Sequence, residues 1–171
     1  MSNMDAASVD GTPPAAGLTH VDATGAARMV DVSAKPPSAR TALATGVVRT
    51  TREVAQLLQH GSLPKGDAIA TARIAGIMAA KRTPDLVPLC HPISISGVTV
   101  DLEVGDSEVR IAATVRTTDR TGVEMEALTA VTVAGLTLHD MIKAVDPSAM
   151  LTDVRVERKE GGKTGVWVRH D

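Results

Sequence analysis

Asp140 and Lys143 lie three residues apart in a stretch, Gly122 to Lys143, whose apolar periodicity predicts a helix. That spacing puts both side chains on one helix face. A carboxylate beside an ammonium can trade protons with a ligand, the lysine keeping the acid ionised. The plainer role is an exposed ion pair near a helix C-terminus, where lysine also suits the dipole. Glu124 and Glu126 stand at the other end of the same stretch. On a helix they point to different sides; in extended chain they point the same way. They either complement the helix dipole or grip polar ring nitrogens of a base-like ligand. Met125, between them, reads as core. Glu126 and Asp140 are 14 residues apart, about 21 Å along an α-helix. One small substrate does not span that length, so either the ligand is long or a second subunit brings opposite helix ends together.

Thr83 to Pro92 (TPDLVPLCHP) holds three prolines in ten residues and reads as a constrained non-helical loop. Such a loop either presents the His91 imidazole rigidly, for hydrogen bonding or proton transfer, or simply holds a satisfied, partly buried histidine. Cys90 beside it reads as a small packed side chain rather than a nucleophile. Two glycine-containing turns carry lysines, Lys65-Gly66-Asp67 and Gly161-Gly162-Lys163-Thr164-Gly165. Backbone N–H groups and an ammonium in such turns bind phosphate. The second ends like a P-loop, but the first glycine of that motif falls on Glu157, so the pattern fails. Either loop alone is more often a plain turn. Together with Arg40 and the Lys81-Arg82 pair they make a polyphosphate ligand a candidate. The histidines His20, His60, His91, His139 and His170 show no metal-ligand spacing.

These residues need elements to position them. Arg28–Ser33 alternates and predicts a strand, broken by Pro36-Pro37. Arg40–Thr50 predicts a second strand. Thr51–His60 predicts a helix capped by Thr51 and closed by Gly61. Asp67 caps an Ala-rich helix over 68–81. Ser94–Val104 and Glu108–Thr118 alternate around Gly105-Asp106, a hairpin signal. A long helix over about 123–145 follows, stopped by Asp146-Pro147, then a strand over Leu151–Lys159 and the glycine loop. Strands and helices in this order, without regular βαβ alternation, predict an α+β fold with an antiparallel sheet packed against helices. Residues 1–17, rich in Ala, Ser, Gly, Pro and Asp, read as a disordered tail, and 18–171 as a single domain.

The core must be built from Val, Ile, Leu, Ala and Met: the 171 residues include no Phe, no Tyr and one Trp. That argues against single-strand nucleic-acid binding, which uses aromatic stacking platforms. A net charge of −2 and the lack of a Lys/Arg run argue against a phosphate-backbone footprint, so no nucleic-acid partner is expected. One cysteine excludes an intrachain disulfide framework and a multi-cysteine zinc site. No apolar run reaches the about 20 residues of a membrane span, and the N-terminus lacks a signal-peptide pattern. The expectation is a soluble cytoplasmic protein with no membrane partner.

The stretches LTHVDATGAARMVDVSAK (18–35), KGDAIATARIAGIMAAKRTPDLVPLCHP (65–92), TGVEMEALTAVTVAGLTLHDMIKAV (121–145) and GGKTG (161–165) resemble the cyclic pyranopterin monophosphate synthase family, also called the molybdenum cofactor biosynthesis protein C family. KRTPDLVPLCHP together with GVEMEAL is the specific signature. The resemblance implies a ferredoxin-like fold assembled as a homohexamer, a trimer of dimers, with active sites between subunits. It implies a lyase that converts 3′,8-cyclo-7,8-dihydro-GTP to cyclic pyranopterin monophosphate and diphosphate. It places the catalytic pair on Asp140 and Lys143 and an essential turn lysine on Lys65. Substrate contacts fall on Leu89, Cys90 and His91, on Met125 and Glu126 with Glu124 nearby, and on Arg40 and Lys163 near the triphosphate; Arg73 is a further anion contact with less behind it. No redox cofactor and no protein-held metal are implied, though Mg²⁺ can accompany the triphosphate oxygens. The competing class is a non-catalytic nucleotide-binding assembly or regulatory protein of the same fold, because a fold does not fix a function.

Overall fold

The computed structural model describes residues 26–63, 65–163 and 165–170. The expected tail over 1–17 and the expected start of order near Leu18 lie outside the described residues. Residues 26–30 belong to an N-terminal unit that ends at Val30; the compact unit begins at Asp31.

The strand expected over 28–33 does not form. The Ser33 N–H donates to Asp31 Oδ1 at 2.8 Å, and the Lys35 N–H closes a turn on the Val32 carbonyl at 3.0 Å. A short polar side chain that bonds its own backbone competes with a sheet ladder.

The described residues form five strands and four helices: β1 (Ser38–Arg49), α1 (Arg52–Gln59), α2 (Ala68–Ala80), α3 (Thr83–Leu86), β2 (Ile95–Val104), β3 (Glu108–Asp119), α4 (Glu124–Ile142), β4 (Met150–Glu160) and β5 (Trp167–Val168). The strands form one antiparallel sheet in the order β2-β3-β1-β4-β5. The class is α+β, as expected. Alternation along β1 turns Ala42, Ala44 and Val48 inward; along β3 it turns in Val109, Ile111, Ala113 and Val115. α4 lies across β1, β3 and β4, while α2 packs beside it and over β2. The core between the layers is aliphatic, with Val131, Leu138 and Ile142 of α4 fully buried. Gly76 sets the helix spacing: a Cβ there would lie 2.8 Å from the Ala130 carbonyl oxygen. α2 can approach α4 that closely only without a side chain at this point.

The predicted caps form. Thr51 accepts from the Val54 N–H and Asp67 from the Ala70 N–H. The hairpin turns where expected, the Gly105 N–H donating to the Glu108 carbonyl at 2.8 Å. Two expectations need correction. Thr83–Leu86 is a short helix, because Pro84 falls in its first turn, where a missing N–H costs nothing. A short strand that the sequence did not suggest, β5, follows the glycine loop, and Lys159 of β4 pairs with its Trp167.

Candidate active site

Three side chains from two elements meet at the C-terminal end of α4. Asp140 Oδ1 accepts from Lys143 Nζ at 2.7 Å, the i, i+3 contact that helical spacing demands. Lys65 arrives from the loop between α1 and α2 and donates to Asp140 Oδ2 at 3.0 Å and to the Asp140 carbonyl at 2.8 Å. Burial of Leu63 and the Asp67 cap fix that loop on either side of the lysine. All three side chains are about half exposed, so a ligand can reach them. The hydrogen bond from Lys143, then that from Lys65, holds the Asp140 carboxyl down at about 2. Asp140 is therefore a fixed anion at neutral pH. It aims two ammonium donors at one place, where they can stabilise developing negative charge or deliver a proton.

The first turn of α4 is different. Glu124 and Glu126 are both helical and point to different sides. Glu124 turns outward and pairs with Lys159 at 2.9 Å. Glu126 turns inward, only 3% exposed, and its Oε2 has no hydrogen-bond partner among the described residues. Burial, reinforced by the neighbouring Glu124 charge, pushes its carboxyl up to about 7. Met125, which the sequence suggested as core, is exposed instead. The Leu89-Cys90-His91 segment follows α3 and is half-buried. Burial pushes the Cys90 thiol up, and the Glu126 charge adds to it, which suits a packed side chain and opposes a thiolate nucleophile. Hydrogen bonds from Ser33, and last the nearby His91, hold the Asp31 carboxyl below its usual value.

A polar cavity of about 160 Å³ opens beside that same end of α4. Lys35, Arg40, Arg120, Lys159 and Lys163 line it, against Glu124 and Glu160. The Gly122–Glu124 backbone at the start of α4 also borders it, and a helix N-terminus favours anions. Arg40 is held by the carbonyls of Asp119 and Arg120, at 3.0 and 3.2 Å. Gly162 allows this: it has φ +70, and a Cβ there would run into Arg40 Nη1. Lys35, Arg120 and Lys159 line the cavity without any local signal in the sequence to mark them. They are scattered through the sequence, and only the β1–β3–β4 neighbourhood gathers them. Arg73 does not join them; it donates to the Val100 carbonyl at 3.0 Å and ties α2 to β2. Among the described residues no three His, Cys, Asp or Glu side chains converge on a metal-sized site, and no helix is long and apolar enough to cross a membrane.

The sequence-derived residues thus fall into two groups. Lys65, Asp140 and Lys143 sit at one end of α4; Arg40, Glu124 and Lys163 line the cavity at the other, and Glu126, next to Cys90, opens the same turn of the helix. Glu124 and Asp140, the α4 members of the two groups, are 16 residues apart in the sequence, about 24 Å along the helix.

The fold and site define an α+β protein with a two-lysine, one-carboxylate cluster and a separate polar cavity lined mostly by cations. The chain belongs to the MoaC family, whose model matches residues 29–162. A cyclic pyranopterin monophosphate synthase of Streptomyces coelicolor is 64% identical over 169 residues, 99% of each chain. One from Streptomyces avermitilis is 65% identical over 159 residues, 93% of this chain and 94% of that protein. Cyclic pyranopterin monophosphate synthase 2 of Mycobacterium tuberculosis is 62% identical over 152 residues, 89% and 91% of the two chains.

Proposed function

We propose that this chain acts as a cyclic pyranopterin monophosphate synthase, a lyase of molybdenum cofactor biosynthesis. Its substrate is 3′,8-cyclo-7,8-dihydro-GTP, and it releases cyclic pyranopterin monophosphate and diphosphate. The observation that carries the chemistry is the Lys65–Asp140–Lys143 cluster, together with the names of relatives that match the chain over nearly its full length. The reaction opens one ring, builds a pyran ring and closes a cyclic phosphate, which needs proton transfer and charge neutralisation. Lys65 and Lys143 serve as proton donors and charge stabilisers, and Asp140 sets their direction. Arg40 and Lys163, with Lys35, Arg120 and Lys159, hold the triphosphate and offset charge as diphosphate leaves. Glu126, Glu124, Met125 and the Leu89-Cys90-His91 segment receive the guanine-derived part. Mg²⁺, where present, rides on phosphate oxygens.

The strand order β2-β3-β1-β4, with two crossovers carrying helices on one face, supports the ferredoxin-like reading, β5 being an edge addition. The separation of the two groups along α4 supports a site completed by a second copy, in keeping with the homohexamer that the family resemblance implies. Ile74 and Met78 on α2 and Leu136 on α4, each more than half exposed, offer apolar surface for such contacts. A cytoplasmic setting fits this biosynthetic role.

The test is an anaerobic turnover assay with purified 3′,8-cyclo-7,8-dihydro-GTP, wild type beside Lys143→Ala. Product and diphosphate from wild type alone are expected. Binding without product from wild type would overturn the reading; equal turnover by both proteins would remove Lys143 from the chemistry.

A further inference from the structure

Asp146 is only 4% exposed, and its named partners are neutral donors. Its Oδ2 accepts from Thr50 Oγ1 at 2.8 Å. Its Oδ1 accepts from the Ser148 backbone N–H at 3.0 Å and from Ser148 Oγ at 2.6 Å. The Thr51 backbone N–H faces the same carboxylate. Only an acceptor without hydrogens suits such a ring of donors; an amide would present N–H groups to some of them.

The partners lie at a corner. Thr50 follows β1, and its N–H is itself tied to the Ser107 carbonyl in the β2–β3 turn at 2.9 Å. Thr51 caps α1, and the far end of α1 leads into the loop that carries Lys65. On the other side, Asp146 lies three residues beyond Lys143, and its N–H donates to the Ile142 carbonyl at 3.0 Å. One carboxylate therefore fastens the end of α4 to the corner where β1 passes into α1. Helix ends fray unless held, and Lys65 binds both the side chain and the carbonyl of Asp140 in the last turn of α4.

The geometry points to Asp146 as a positioning residue: by fastening the α4 terminus to the β1–α1 corner, it holds Asp140 and Lys143 in register with Lys65 without touching substrate. This rests on the proposed function for its kinetic consequence but not for its structural one. The test uses the full chain with Asp146→Ala, and Thr50→Val as the milder variant should the first fail to fold. In turnover assays well below the unfolding temperature, kcat for Asp146→Ala should fall roughly 10- to 100-fold, the scale of a small misplacement of catalytic groups, with KM held within about twofold. Thr50→Val should show a smaller loss in the same sense. A crystal structure of either variant without substrate should show the Lys65–Asp140 contact, 3.0 Å in wild type, opened past about 4 Å, the limit of an ion pair. A lowered Tm with kcat unchanged, a raised KM with kcat unchanged, or a Lys65–Asp140 contact left intact would each overturn the proposal. The crystal structure needs no turnover, so an inactive wild type would sink the proposed function while this test still stood.

Discussion

Glu126 makes stability depend on pH in a direction opposite to that of most carboxylates. Burial lifts its carboxyl from an ordinary value near 4.5 to about 7, and no hydrogen-bond partner of Oε2 among the described residues relieves it. A group whose folded pKa is raised binds more protons folded than unfolded between those two values, so stability falls as pH rises from 4.5 toward 7. At about 1.36 kcal/mol per pH unit, that interval corresponds to roughly 3 kcal/mol. Glu126→Gln removes the titration and keeps the shape. The stability difference between variant and wild type should therefore swing by roughly 3 kcal/mol in favour of the variant between pH 4.5 and pH 8. A buried, poorly bonded amide costs about 1–3 kcal/mol at every pH, so the variant should be the weaker protein at pH 4.5 and the equal or stronger one at pH 8. Urea unfolding at fixed protein concentration, at pH 4.5, 6, 7 and 8, measures this; concentration is held because self-association shifts apparent stability. A variant-to-wild-type difference that stays constant across this range would refute the reasoning, since it would mean that Glu126 titrates alike folded and unfolded.

Two other substitutions probe the packing behind the site. Gly162→Ala should raise KM for the triphosphate substrate, roughly tenfold for about 1.4 kcal/mol lost, with kcat within about twofold: the new methyl displaces the Arg40 guanidinium from the cavity, and φ +70 strains the loop. An unchanged KM in steady-state kinetics would detach Arg40 from binding. Gly76→Ala should destabilise the fold by about 1 kcal/mol net, since helix propensity gains about 1 kcal/mol while overpacking against the Ala130 carbonyl costs about 1–3 kcal/mol. A thermal melt showing stabilisation would mean that α2 can move away from α4 at no cost.

Local signals located the elements where local physics governs them. Thr51 and Asp67 cap the helices they precede, and Gly105-Asp106 turns the hairpin, because caps and tight turns depend on residues within a few positions. Arg28–Ser33 misled because alternation shows only that one face could be buried, and whether anything covers that face is a tertiary matter. The proline-rich segment misled for another reason: proline at the start of a helix is permissive, so Pro84 does not exclude one. Within the site, the Asp140–Lys143 contact was legible from helical spacing, whereas the Lys65–Asp140 contact joins residues 75 apart and has no periodic signature. The cavity cations illustrate the same limit. Lys163 stood out in a glycine loop, and Arg40 was named from the start of a strand, but Arg120 and Lys159 become their neighbours only through strand register.

The two ends of α4 carry carboxylates pushed in opposite directions, Asp140 down to about 2 by two lysines and Glu126 up to about 7 by burial. Pairs of acids separated in this way mark different proton duties. Asp140 cannot give up a proton at neutral pH because it holds none; on the proposed function its part is to aim its lysines. Glu126 sits near half protonation and can donate or accept without a strong partner. Along one helix these duties lie about 21 Å apart, beyond the reach of a single proton transfer. With the triphosphate of a dihydro-GTP-derived ligand in the Arg40–Lys163 cavity, the lysine cluster at the far end of the same α4 lies out of the ligand's reach, so on the proposed function that cluster would come from another copy. Mixing inactive Lys65→Ala chains with inactive Arg40→Ala chains should restore part of the activity, since some mixed sites receive intact residues from both. Failure of such mixed assemblies to regain turnover, with subunit exchange verified by mass spectrometry, would place the whole site within one chain.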